Sequence, residues 1–379
     1  MEQVLTNTRL VLADEIIDGT IVVRNGLIAD IDAKHSAAGE DCEGDYLVPG
    51  LVELHTDHLE NHYGPRPGVR WPTISAIQAH DAQIAASGIT TVFDCFRVGN
   101  DTAGNDFEHG EMRELAGALI HAQDENRLRA EHLLHLRCEV SAPNTIGEFE
   151  EFLDIPNLRL VSLMDHAPGQ RQFQVMDQYI LYYKEKRGMS DAVFDAFVKQ
   201  RIEQSATFAD PHRRHIAGVC RDRGITLASH DDATTAHVEE AIDFGVRLAE
   251  FPTSIEAARE SHHRGLSVLM GAPNVVRGGS HSGNIAATDL AARGLLDVLS
   301  SDYVPISLIY APFALAERIE AIDLPQAIAM VTKTPAETVG LDDRGSIAPG
   351  RRADLVRVTA APGSVPVVRS VWRQGRRVA

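Results

Sequence analysis

Eight apolar, strand-like runs alternate with amphipathic stretches across residues 47–340, and this alternation constrains the fold more than any other feature of the chain. The runs fall at 51–57, 89–95, 132–139, 158–165, 225–230, 246–251, 266–271 and 297–302. Helical periodicity occupies the intervals, for example 73–87, 110–129, 191–205, 211–223, 233–243 and 284–294. Strands that alternate with helices pair in parallel, and eight of them predict an α/β fold of the (β/α)8 TIM-barrel type. Residues 167–210 are too long for a simple connection and read as a helical insertion able to cover the strand ends.

The two ends of the chain read differently. Residues 1–46 hold short β-branched runs with Asn25-Gly26 as a hairpin signal. Residues 341–379 carry further strand-like pieces after Gly345 and Gly350. Both ends together, 1–46 plus 341–379, predict a small β-sandwich domain formed by the N- and C-terminal segments, set on a barrel of 47–340.

Charge excludes some functions. A formal net charge of −18 argues against a general nucleic-acid or anionic-membrane surface. It does not exclude a small anion, because a metal ion and a few arginines can reverse the local potential. No apolar run reaches membrane-spanning length, and Met-Glu-Gln-Val does not read as a secretory leader. Cys42, Cys95, Cys138 and Cys220 are scattered, as expected of reduced thiols in a cytoplasmic protein.

The strand ends carry the chemistry. Leu-Val-Glu-Leu-His55-Thr-Asp57 places an imidazole and a carboxylate two residues apart, on one face of a strand. The third run puts His135, Arg137 and Glu139 on one face, with Glu139 nearest the C-terminal end. A glutamate there can bridge two metals; an internal Arg137–Glu139 ion pair is the competing reading. Later runs close in Asp165-His166, His230-Asp231-Asp232 and Asp302-Tyr303. A metal set of His55, Asp57, Glu139, His166, His230 and Asp302 suits one or two divalent ions, zinc before manganese or iron. Such ions acidify a bound water. Asp302, closing the last run, is the expected catalytic base. His58 follows Asp57 by one residue and points away from it, so its role and that of His62 stay open.

Pro49-Gly50-Leu-Val-Glu-Leu-His55-x-Asp57, the later strand-end histidines, Asp302 and the closing Gly-Ser-Ile-Ala-Pro-Gly-Arg-Arg-Ala-Asp-Leu-Val resemble the amidohydrolase superfamily. The stretches from Glu53 to Pro72, Met164 to Phe173, Ala228 to Thr234, Ala249 to Thr253 and Ser300 to Tyr303 resemble its PhnM family more closely. The resemblance implies a metal-dependent hydrolase of phosphonate breakdown. Its substrate would be α-D-ribose 1-methylphosphonate 5-triphosphate, and its products the 5-phosphate and pyrophosphate. The chain departs from the superfamily in three places. Asp57 stands where a second histidine is usual, Glu139 replaces a carboxylated lysine, and His166 and His230 fall one strand early.

A triphosphate needs cationic donors. Arg66, Arg171 and Arg277 lie in predicted loops after strand ends, and guanidinium forks suit phosphate oxygens. Asp231 and Tyr303 complete the expected substrate site, with Trp71 as a further wall or a core residue. Lys184, Lys186 and Arg187 sit in the insertion. A different amidohydrolase reaction, cyclic amide hydrolysis or deamination, is the alternative. A non-enzymatic scaffold conflicts with the full ligand set. The expected partner is a small ribosyl triphosphate, without nucleic acid or membrane, and a homodimer is compatible.

Overall fold

A computed structural model describes residues 2–99, 110–171, 180, 189–279 and 284–379. The chain opens with β1 (Glu2–Val11), β2 (Ile16–Arg24), β3 (Leu27–Asp32), β4 (Glu40–Asp41) and β5 (Tyr46–Pro49). Asn25 and Gly26, at φ 50° and 83°, join β2 to β3, with Arg24 facing Leu27. Two left-handed residues in a two-residue loop match the twist of the flanking strands, so the Asn-Gly signal forms the tight hairpin it predicts.

The α/β part follows as β6 (Leu51–Thr56), α1 (His58–Tyr63), α2 (Thr73–Ala86), β7 (Ile89–Val98), α3 (Glu111–Asp124), β8 (Glu131–Glu139), α4 (Thr145–Glu151) and β9 (Leu158–Met164). It continues with α5 (Asp191–Arg223), β10 (Thr226–His230), α6 (Thr235–Asp243), β11 (Leu248–Glu250), α7 (Ile255–His263) and β12 (Ser267–Gly271). It ends with α8 (Ala272–Arg277), α9 (Ala287–Ala291), β13 (Val298–Ser300), α10 (Ser307–Arg318), α11 (Leu324–Ala329) and α12 (Lys333–Thr338). Strands β6 to β13 form one sheet in sequence order. Every residue of β6 is buried, as a parallel strand covered on both faces requires. A parallel bridge between Thr56 and Asp302 ties the first strand to the end of the last, the pairing that closes a (β/α)8 fold. All eight predicted strands are present.

The C-terminal strands β14 (Leu355–Thr359), β15 (Val367–Arg373) and β16 (Arg376–Arg377) return to the first sheet. Its order is β16-β15-β14-β5-β1-β2-β3, with β4 on β1. Leu5, Leu10, Ile21, Val23, Ile28, Leu47, Leu355 and Trp372 form its core, so neither terminus can bury its apolar face without the other.

The predicted helices 191–205 and 211–223 are a single helix, α5, with Pro211 inside it. Proline removes one intrahelical hydrogen bond. Burial of Phe194, Arg201, Ala209, His212, Ile216 and Cys220 along one face spans both halves and outweighs that loss. The helix therefore runs past 210, the expected end of the insertion. Most of the remaining insertion, including Lys184, Lys186 and Arg187, lies outside the described residues.

Contact density divides the chain into two compact units. One comprises Met1–Asp94, Gly117–Leu133 and Met270–Ala379; the other comprises Cys95–Ala116 and Leu134–Leu269. No helix among the described residues is long and apolar enough to cross a membrane. The four cysteines form no disulfide among the described residues and are buried.

Candidate active site

In the second unit the candidate residues meet around His166, just beyond β9. Glu139, the last residue of β8, receives the His166 Nδ1 proton at 2.7 Å and the His166 backbone N–H at 3.1 Å. On the other side of the ring, Asp231 Oδ2 lies 3.7 Å from His166 Nε2 and 3.5 Å from His230 Nε2. His230 in turn pairs through Nδ1 with Glu250 Oε2 at 3.2 Å. The result is an alternation of carboxylates and imidazoles: Glu139, His166, Asp231, His230, Glu250.

The alternation selects positive charge. Burial works against a charged His166, but Glu139 and Asp231 outweigh it and raise the ring to about 10. Burial likewise pushes Glu139 up, and His166, Arg201 and Ser141 outweigh it to bring the carboxyl down to about 2. Asp231 is lowered despite its burial, by His230 and His166. His230 goes the other way: burial lowers it, and Asp231 and Glu250 do not offset that. Buried anionic carboxylates beside imidazole nitrogens are the donor set of a divalent ion, and His166, His230 and Asp231 lie close enough together to hold one.

In the first unit β6 and the end of β13 carry the other candidates. The Asp302 backbone N–H donates to the His55 carbonyl at 3.1 Å, and Thr56 Oγ1 donates to the Asp302 carbonyl at 2.9 Å. Asp57 occupies the N-cap position of α1, yet its carboxylate makes no capping hydrogen bond. A purely capping role for it is thereby set aside. Glu53 lies beneath, fully buried, accepting the backbone N–H groups of His55 and Ser301. Burial pushes Glu53 up to about 7, against the pull of those hydrogen bonds.

The backbone marks the same strand ends. Asp231, Phe251 and Asp302 follow β10, β11 and β13 at φ 58°, 51° and 53°. Left-handed non-glycine residues are uncommon, above all a bulky Phe, and they concentrate where a strand end must aim a functional group. Threonine and serine caps then start the next helices: Thr234 accepts from the His237 N–H and Ser254 from the Ala257 N–H.

The predicted phosphate donors fare unequally. Arg66 is exposed in a loop, bridged to Val69. Arg277 is exposed at the last turn of α8 rather than in a loop. Arg171 is not an accessible loop residue: it is buried, paired with Asp232 and, at 2.7 Å, with Glu240. Two carboxylates take up its fork, because the Asp231-Asp232 turn and α6 both present acids to it. Tyr303 is 40% exposed beside Asp302, and Trp71, at 52%, is not a core residue.

Several residues escaped sequence reasoning. Glu250 accepts from Ser162 Oγ at 2.6 Å, and Ser162 also meets His135. Arg201, from α5, reaches Glu139 at 3.3 Å. A carboxylate inside an apolar strand, as at Glu53 and Glu250, was the available signal. The observed strand order places His166 just beyond the fourth barrel strand and His230 at the end of the fifth, as the sequence predicts.

Residues 87–379 match the description of the Amidohydrolase family. An α-D-ribose 1-methylphosphonate 5-triphosphate diphosphatase of Escherichia coli (strain K12) is 46% identical over 99% of this chain and 100% of its own length. Among solved structures, an amidohydrolase from a Sargasso Sea environmental sample superposes with a TM-score of 0.66 at 16% identity, covering 100% of this chain and 93% of its own. An adenosine deaminase from Xanthomonas campestris, solved with bound zinc, gives 0.61 at 14% identity, covering 99% and 92%.

Proposed function

The chain belongs to the amidohydrolase family, and on that premise we propose that it is a metal-dependent hydrolase of a phosphoric anhydride. It cleaves α-D-ribose 1-methylphosphonate 5-triphosphate to the 5-phosphate and pyrophosphate, a step of phosphonate breakdown in the cytoplasm. The observation that carries this reading is identity with the Escherichia coli diphosphatase at 46% along 99% of the chain.

The residues that would hold one or two divalent ions are His55, Asp57, Glu139, His166, His230 and Asp302, with zinc preferred over manganese or iron. Bound there, such an ion supplies Lewis acidity and a water of lowered pKa. The chain's own groups do the rest. Asp302 takes a proton from the attacking water at a carboxylate oxygen. The water oxygen bonds to the α-phosphorus, and the bridging P–O bond breaks with its electron pair leaving on pyrophosphate. Glu139 holds the proton side of His166 at Nδ1, and Asp231 orients the opposite edge of the ring. Arg66, with Arg277 and Tyr303, binds the phosphate chain; Arg171 shapes the Asp231-Asp232 turn from below.

Phosphorus NMR of the metal-loaded protein with the triphosphate tests the reading. The expected products are a monophosphate ester and pyrophosphate, with loss of turnover on chelation and recovery on adding a divalent ion. Orthophosphate as the sole leaving group, or full turnover after metal stripping, would sink it. Arg66→Ala should lower kcat/KM by roughly ten- to a hundredfold, the worth of one charge-assisted contact; unchanged kinetics would return Arg66 to the surface.

A further inference from the structure

A second group of imidazoles gathers where α1 meets α2, and the proposed reaction does not use it. His58 and His62 are four residues apart on α1 and therefore share a face. His80 reaches them from α2. The ring centroids of His58 and His62 are 4.8 Å apart, those of His58 and His80 5.6 Å, and those of His62 and His80 6.0 Å. Each residue offers a ligand nitrogen, and the three nitrogens lie within 4.8 Å of one another.

The distances fit a metal better than they fit hydrogen bonding alone. His58 Nδ1 and His80 Nδ1 are 3.3 Å apart. Zinc–nitrogen bonds of about 2.0–2.1 Å put two tetrahedral ligands roughly 3.3–3.4 Å apart. A ring-to-ring hydrogen bond would also explain that one separation. It does not account for all of His62: Gln83 hydrogen-bonds the side chain, yet its Nε2 is shut off from solvent and has no hydrogen-bond partner among the described residues. Buried polar atoms in folded proteins nearly always have a partner, so such an exception asks for an unseen one.

The surroundings prepare His80 as a ligand. Its Nε2 bonds to Asp94 Oδ1 at 2.6 Å, and Asp94 Oδ2 bonds to His132 Nδ1 at 2.7 Å. His132 Nε2 completes the chain at Asp81 Oδ1, 3.3 Å away. A carboxylate on one imidazole nitrogen fixes the tautomer and turns the other lone pair outward, the usual support behind a metal-bound histidine. Every group in this chain is buried, as is His58, and His62 is half-buried.

We propose that His58, His62 and His80 bind one divalent transition-metal ion, zinc or a similar imidazole-seeking ion, with a fourth position open to water. The ion would join α1 to α2 and hold the helix that starts at Asp57.

The test counts metal on the full chain. Protein stripped with chelator is reloaded with zinc and desalted, and zinc per chain is measured for wild type, His62→Phe and His58→Asn. Each variant should carry one zinc fewer than wild type, and the wild-type-minus-variant spectrum after cobalt(II) loading should show tetrahedral bands. Equal zinc counts in all three proteins overturn the proposal. Should the variants fail to fold, zinc-soaked wild-type crystals decide it. An anomalous peak between the three rings supports the site; no peak there, with zinc bound elsewhere on the same chain, overturns it.

Discussion

Glu131 and Glu139 stand at the two ends of one strand, β8, and cations grip both. Around Glu131 the cations are permanent: Arg344 Nη1 at 2.9 Å and Arg352 Nη1 at 2.6 Å. Around Glu139 the nearest is an imidazole, His166 Nδ1 at 2.7 Å, with Arg201 Nη2 at 3.3 Å behind it. A guanidinium does not give up its proton, so Glu131 is a lock. An imidazole can exchange a proton for a metal, so Glu139 marks the end of the strand proposed to serve the metal site. The same side chain on the same strand thus faces permanent cations at one end and an exchangeable imidazole at the other. That is the division of labour expected between the two ends of strands in a (β/α)8 fold.

The contrast can be broken most sharply at the chemical end. Asp302→Asn keeps size and a ligating oxygen but cannot accept a proton, and turnover should fall by about 10²–10⁴. Metal content must be measured on the same sample, since an occupancy loss would mimic the effect. Near wild-type turnover at full metal would move the base to Asp231. Glu139→Gln should weaken divalent-metal affinity by at least about a hundredfold. In the metal-free protein the His166 ring should titrate well below its value of about 10, because burial remains while its nearest anion is gone. Metal titration and imidazole NMR check both, and unaltered affinity would erase the distinction between the two ends.

Glu131→Gln should do the reverse, sparing turnover and costing about 1–3 kcal/mol of stability in urea unfolding. Burial raises the Glu131 carboxyl, but Arg344 and Arg352 outweigh it and hold it below its ordinary value of 4.5. Its contribution is therefore complete above the ordinary carboxylate range and is lost as pH falls through the lowered value. The gap between wild type and variant should close in acid. A gap of constant size at all pH values would assign the effect to packing instead.

Much of this architecture is legible locally. Strand runs such as Leu51–Thr56 announce themselves because burial on both faces demands unbroken apolar character. Asn25-Gly26 predicts its hairpin because few residues tolerate two left-handed positions in succession. The single helix α5 was harder to read, since Pro211 signals a break and only the buried face on both sides overrides it.

The site was half legible, for the same reason. His55, Glu139, His230 and Asp302 occupy or follow strand ends, and an apolar run closing in an imidazole or a carboxylate makes each of them readable from the sequence alone. Arg171 misled, because a guanidinium after a strand end looks alike whether solvent or carboxylates receive it. Asp232 and Glu240, which bury it, lie 61 and 69 residues away in sequence. Arg201 meets Glu139 across 62 residues, and Ser162 meets Glu250 across 88.

The sequence by itself determined the alternation of strands and helices, the joining of both termini in one small β-rich part, and the strand ends that carry imidazoles and carboxylates. These are properties of neighbours along a chain, set by backbone period and side-chain polarity. Only the tertiary structure decided what each charge faces: arginines at Glu131, an exchangeable imidazole at Glu139, carboxylates at Arg171, two further rings beside His80. The charge state of a buried group depends on the sum of its surroundings, and in a low-dielectric interior those surroundings are assembled from distant parts of the chain.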